Sequence, residues 1–212
     1  MDDKLLENFD IAYSKEWGFL TSCPTNVGTG MRASVMLFLP GLSISGAMNK
    51  IIQNAKLEGL TVRGLYGEGS DADGYFYQIS NKTTLGKTEQ EIVECVEVFV
   101  QKVVQMEENA RKTIATLNKS VILDMCYRAY GVLTNCYTIS TSECLALISK
   151  LRFGVCSNVI KMKNINIDEL YYLVQSAHLE NFYEIELTPK ERDIFRAKYI
   201  GEMLNGKLIK GE

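Results

Sequence analysis

The hydrophobic pattern changes period once, near Gly86, and that change constrains the fold more than any other feature of the chain. Before it, short alternating runs at 9–13, 18–22, 31–39, 61–66 and 75–80 read as strands separated by Gly- and Asn-rich joints. One helix interrupts them, over about 45–57, with Met48, Ile51, Ile52 and Ala55 on one face and Gly59 as its stop. After Gly86 the period is helical. Thr88 and Glu91 form a capping box, and Ile92, Val96, Phe99, Val103, Met106 and Ala110 recur at spacings of four and three. This predicts one helix of roughly 25–30 residues, about 40 Å long. No proline lies between Pro40 and Pro189 to break it. Four shorter helices are expected near 119–130, 140–152, 166–176 and 189–204. Ser140 with Glu143, and Thr188-Pro189-Lys190-Glu191, are strong start signals among them.

The expected fold class is α+β. A mostly antiparallel sheet with covering helices occupies 1–117, and an all-α domain occupies 118–212. An apolar content of 46% with a net charge of −3 excludes disorder. With 23 Lys+Arg against 26 Asp+Glu there is no positive excess, which argues against a general nucleic-acid binder. No apolar run reaches ~18 residues, so no membrane span is expected. The opening MDDKLLENFD lacks the apolar core of a signal peptide, and a cytoplasmic protein is expected. The single histidine, His178, excludes multi-histidine metal sites and carries no assigned role. The six cysteines (Cys23, Cys95, Cys126, Cys136, Cys144, Cys156) contain no C-x-x-C pair and read as buried small hydrophobes.

Two groups of residues carry chemistry. In the first, the loop Cys23-Pro24-Thr25-Asn26-Val27-Gly28-Thr29-Gly30 can bring its backbone close to a ligand at its glycines. It leads into Met31-Arg32-Ala33-Ser34-Val35-Met36, where alternation puts Arg32, Ser34 and Met36 on one face. A second run, Val62-Arg63-Gly64-Leu65-Tyr66-Gly67-Glu68-Gly69-Ser70, carries another arginine and ends at a glycine-flanked glutamate. Arginines on paired strands make a fork for phosphate oxygens; the alternative is two ordinary surface arginines beside glycine turns. In the second group, Arg192-Asp193-Ile194-Phe195-Arg196-Ala197, the arginines stand four apart on one helical face. An anion between them would turn a like-charge repulsion into attraction; the alternative is a solvated charged face.

These strings, with Gly18-Phe19-Leu20-Thr21 ahead of them and Gln78-Ile79-Ser80-Asn81…Leu85-Gly86 behind, resemble the ATP:guanido phosphotransferase family. The Val-Gly-Thr-Gly and Tyr-Gly-Glu-Gly-Ser versions are similar to its bacterial protein-arginine kinase branch. The resemblance implies transfer of the γ-phosphoryl of ATP to arginine guanidinium groups of proteins. It implies nucleotide contacts from Arg32, Ala33, Ser34, Val35, Met36, Arg63, Gly64, Leu65, Tyr66, Gly67 and Glu68. It also implies catalytic roles for Glu68, which pairs with the guanidinium, and for Cys23 beside it; for Cys23 a purely structural place in the loop remains the alternative. Mg would be held by the nucleotide phosphates and not by protein ligands. Arg192, Asp193, Ile194, Phe195, Arg196 and Ala197 match a phosphoarginine-binding motif of that branch. Self-association and an activator protein or Clp-type protease machinery are the implied partners. In the family the catalytic domain begins upstream of the residue matching Met1, in a portion with further arginines, a second glutamate and more of the sheet, so the resemblance implies that the antiparallel sheet within 1–117 is partial. Two functions are therefore expected: a kinase incomplete as this single chain, or a non-catalytic phosphoarginine-binding module.

Overall fold

The computed structural model describes residues 2–64 and 73–210. The described residues divide into two compact units, one of residues 2–64 and 76–107, the other of residues 73–75 and 108–210.

The first unit opens with α1 (Asp2–Asn8) and a hairpin of two-residue strands, β1 (Tyr13–Ser14) and β2 (Gly18–Phe19). Its sheet is built from β3 (Ser34–Phe38), β4 (Leu60–Gly64) and β5 (Phe76–Asn81), all antiparallel in the order β3-β5-β4. Between β3 and β4 lie α2 (Pro40–Ile44) and α3 (Met48–Leu57). The single helix expected over 45–57 is α3, which starts later, at Met48; the short α2 before it was not expected, and the two are parted at Gly46, whose φ of +73° a side chain would disfavour. Gly59 ends α3 as expected, also at positive φ. Ile79 and Leu60 of the sheet are buried with Met48, Ile51 and Ala55 of α3.

The long helix is α4 (Glu89–Leu117), 29 residues, started by the Thr88–Glu91 capping box. Its buried stripe runs Ile92, Val96, Phe99, Val103 and then Glu107, whereas Met106 is 39% exposed. The apolar continuation expected at Met106 gives way to a carboxylate because this face meets a helix start, not an apolar wall. Glu107 Oε1 and Oε2 accept the backbone N–H groups of Gly41 (2.8 Å) and Leu42 (2.9 Å). Pro40 at the first position of α2 has no N–H, and Leu39 before it has no capping oxygen. The cap therefore comes from 66 residues away.

In the second unit, α5 (Lys119–Asn135), α6 (Thr141–Cys156) and α9 (Pro189–Leu204) form the core, with α7 (Ile167–Leu173) and α8 (Ser176–Tyr183) between. Gly154 permits the close approach of α5 and α6, since a Cβ there would stand 2.4 Å from Cys126 Sγ. Ser140 and Thr188 cap α6 and α9 as the sequence indicates. The helix expected over 166–176 breaks after Val174, whose buried carbonyl is taken by Arg196. A short antiparallel pair, β6 (Ile160–Met162) with β7 (Leu208–Lys210), adds to the helices. No described helix is long and apolar enough to cross a membrane. Of the six cysteines, Cys126 and Cys144 are buried, Cys95 and Cys136 half-buried, and Cys23 and Cys156 exposed; the expectation of six buried hydrophobes holds for two.

Candidate functional site

Strand register decides which side chains of the first group meet. Ser34 pairs with Ser80 and Thr61 with Ser80, while Arg63 pairs with Gln78 and Gln78 with Met36. Because side chains alternate, Ser34, Met36, Thr61, Arg63, Gln78 and Ser80 share one face. Arg32, two residues before Ser34, reaches over the same face and donates from Nη2 to Ser80 Oγ at 3.1 Å. Arg32 and Arg63 consequently line one cavity of about 350 Å³. Lys56 and Lys82 line it too, with Thr25, Asn26, Thr61, Asn81 and Thr84, and none of the described residues that line it is acidic. Four cations with hydroxyl and amide groups around a small cavity suit a phosphate oxyanion.

The loops that border this cavity are tied down by two side chains. Asn81 Oδ1 accepts from Ala33 N (2.9 Å) and its Nδ2 donates to the Met31 carbonyl (3.1 Å). Thr84 Oγ1 donates to the carbonyls of Val27 (2.7 Å) and Thr25 (3.3 Å). Gly28 serves the same end: at φ +114°, a Cβ would come within 2.6 Å of the Thr84 carbonyl oxygen. Its missing side chain lets backbone meet backbone within the protein, rather than the ligand approach that the glycines of this loop suggested. Gly30 faces almost open space, where a Cβ would find its nearest heavy atom 3.9 Å away.

Cys23 stands exposed at the start of the short 3-10 turn Pro24–Asn26, with Sγ 3.0 Å from Thr25 Oγ1. Hydrogen bonds from the Thr25 side chain and then its backbone hold the thiol below its ordinary value. The thiolate thus owes its support to Thr25. Burial instead pushes Cys126 and Cys144 up to about 12, which keeps both as thiols at neutral pH.

The other expected nucleotide residues divide. Ala33, Ser34 and Val35 line a separate cavity of about 550 Å³ with Val93, Val96, Glu97 and Val100 of α4. Met36 is exposed on the open face, and Gly64 closes β4 opposite Tyr77. Leu65, Tyr66, Gly67 and Glu68 lie outside the described residues. Among the described residues no cluster of three His, Cys, Asp or Glu side chains could hold a metal ion. Sequence reasoning missed Lys56 and Lys82. Lys82 was signalled by its position two residues after Ser80, on the same alternation.

In the second unit the two motif arginines have different surroundings. Arg196 is 1% exposed. Its Nε donates to the Val174 carbonyl (2.9 Å), and its Nη1 to the Ile139 carbonyl (2.9 Å) and to Asp193 Oδ1 (2.6 Å). The Ile139 N–H in turn donates to the Asp193 carbonyl (3.1 Å). Nη2 takes no part in these three bonds. Arg192 is half-buried, and Phe195 stacks edge-on against Tyr183 at 4.6 Å. One arginine of the pair is therefore a paired, buried strut, and the other is the more accessible cation.

Residues 1–110 match the model of the ATP:guanido phosphotransferase C-terminal catalytic domain, and residues 119–210 that of the protein-arginine kinase McsB C-terminal domain. The protein-arginine kinase of Caldanaerobacter subterraneus subsp. tengcongensis is 41% identical over 98% of this chain and 61% of its own length. That of Bacillus subtilis (strain 168) is 45% identical over 98% of this chain and 58% of its own length. A crystal structure of lombricine kinase matches 46% of this chain and 26% of its own, with 36% identity and a TM-score of 0.41. The chain thus spans about three-fifths of the length of these curated relatives. With its first 110 residues matched by the catalytic-domain model, the chain belongs to the ATP:guanido phosphotransferase family.

Proposed function

We propose that this chain serves transfer of the γ-phosphoryl group of ATP to the guanidinium of arginine in proteins. The observation that carries the reading is the convergence of Arg32 and Arg63 on one cavity, together with Lys56 and Lys82. There they would hold the nucleotide phosphates, with Ser34 and the backbone of 64–67 lining the nucleotide site. Glu68 would pair with the substrate guanidinium and accept its proton as the P–N bond forms and the bond from γ-phosphorus to the ADP oxygen breaks. An arginine guanidinium is almost fully protonated at neutral pH, so a carboxylate in this role is needed. Cys23, held towards thiolate by Thr25, would stand beside the guanidinium. Mg would neutralise charge on the β- and γ-phosphates when bound. A lining of cations, hydroxyls and amides fits an ion carried by the phosphates rather than by protein ligands.

Residues 118–212 would form the regulatory domain, with the Arg192–Ala197 segment receiving phosphoarginine, Arg192 as the accessible cation and Asp193 facing the ligand's guanidinium. Self-association and engagement of an activator or a protease machinery belong to the same proposal. The test incubates the purified chain with γ-labelled ATP and an arginine-rich protein and measures acid-labile phosphoarginine. Loss of one charged contact in such a clamp costs ~10²–10³ in rate, so two arginines alone are expected to bind ATP with negligible turnover. Absence of ATP binding would refute the kinase reading. The second reading, a non-catalytic phosphoarginine-binding module, is favoured by a motif held within one compact unit. Calorimetry showing no phosphoarginine binding by the unmutated chain would remove it.

A further inference from the structure

The cavity that holds Arg32 and Arg63 contains two more cations for which the family motifs provide no role. Continuing the register of Ser34 with Ser80 and of Thr61 with Ser80 two residues outward, just past the strand ends, sets Lys82 between Arg32 on one side and Gly59 on the other. The backbone follows this path: Lys82 N donates to the Gly59 carbonyl (3.0 Å) and Asn81 N to the Ala33 carbonyl (3.3 Å). Lys82 and Arg32 are thus cross-strand neighbours, and both line the cavity. Lys56, in the last turn of α3, enters it from the third side.

Like charges placed opposite each other on paired strands destabilise a sheet unless something neutralises them. Arg32 has a hydroxyl as its partner, Ser80 Oγ, and no carboxylate pairs with Arg32, Lys56 or Lys82 among the described residues. The cavity therefore concentrates positive charge at one end of the sheet, where Asn81 and Thr84 already hold the neighbouring loops in place.

We propose that Lys82, assisted by Lys56, is a further polyphosphate-anchoring residue of the nucleotide site, supplying cations next to Arg32 and Arg63. This rests on the nucleotide reading of the cavity. A lysine is a point charge that can follow a phosphate chain on its flexible stem, whereas the two arginines fix oxygens by their planar forks.

The experiment is calorimetric titration of the full 212-residue chain with ATP, with inorganic tripolyphosphate and with adenosine, using K82Q, K82R, K56Q and R32Q variants. Lys82→Gln is expected to weaken ATP and tripolyphosphate about five- to tenfold, with adenosine unaffected, while Lys82→Arg restores most of the affinity. The ligand-free melting temperature of Lys82→Gln is expected to equal or slightly exceed that of the unmutated chain, because a repulsion has been relieved. If Arg32→Gln weakens ATP but Lys82→Gln stays within twofold, the role of Lys82 is refuted and the nucleotide site stands. If the unmutated chain binds neither ATP nor tripolyphosphate, or Arg32→Gln changes nothing, the nucleotide reading falls and the lysine role with it.

Discussion

Replacing Glu107 by alanine tests whether a carboxylate in one helix supplies the start of another. In the native structure its two oxygens accept the N–H groups of Gly41 and Leu42 at 2.8 and 2.9 Å, and Glu107 is 4% exposed. Gly41 and Leu42 are themselves buried, so water cannot readily replace the lost acceptors. Leaving a buried donor unsatisfied costs about 1–3 kcal/mol, and two such donors, partly relieved by relaxation, cost roughly 3–4 kcal/mol. An ordinary exposed cap is worth about 1 kcal/mol, so the excess measures burial. For a unit near 100 residues this corresponds to a fall in melting temperature on the order of 12 °C or more. Glu107→Gln keeps one carbonyl acceptor and should lose about half as much. Urea unfolding followed by circular dichroism, with the exposed Glu97→Ala as control, measures both. A Glu107→Ala variant within ~0.5 kcal/mol of the native chain would refute the reasoning, as would a glutamine variant as damaging as alanine.

Arg196→Ala removes three hydrogen bonds from a buried guanidinium and strands the carbonyls of Ile139 and Val174; a loss of roughly 3–5 kcal/mol is expected in thermal melts. Arg192→Ala should leave stability within ~0.5 kcal/mol while reducing phosphoarginine affinity in calorimetry, so the two arginines separate structure from binding. Gly28→Ala forces a Cβ to 2.6 Å from the Thr84 carbonyl at φ +114°, and a loss of at least about 2 kcal/mol is expected; Gly30→Ala, in open space, should lose about 1. Cys23 should alkylate with a pH midpoint below that of an ordinary thiol, because Thr25 stabilises the thiolate. Lowering pH protonates the thiolate and slows the reaction, and Thr25→Val should move the midpoint upward; an unmoved midpoint in iodoacetamide kinetics would refute the role of Thr25.

Local signals carried far in this chain. The capping boxes at Thr88 and Thr188, the stripe Ile92–Val103 and the stop at Gly59 are written in residues three or four apart, and the structure realises each. The β-runs were legible in place but not in extent: the run at 9–13 survives only as Tyr13–Ser14, since two-residue strands are set by pairing partners. The break between α7 and α8 was hidden because the acceptor side of Val174 is satisfied by an arginine 22 residues on. The strands β6 and β7 lie about fifty residues apart and contain three residues each, too few for any periodicity to register.

Sequence alone determined the family-bearing strings, the α+β class and the presence of two arginine groups, because each depends on residue identity and short-range spacing. Tertiary structure decided what those residues do. Strand register, a long-range quantity, brought Arg32, Arg63 and Lys82 to one cavity and placed Ala33 and Val35 elsewhere, while the packing of α3 added Lys56. Burial, which depends on everything packed around a side chain, made Arg196 a strut and left Arg192 accessible. It also turned Glu107 from one more charge in a long helix into the cap of a helix 66 residues earlier. A string of letters records charge and spacing, and only the packed chain determines which charges face each other and which are shielded from water.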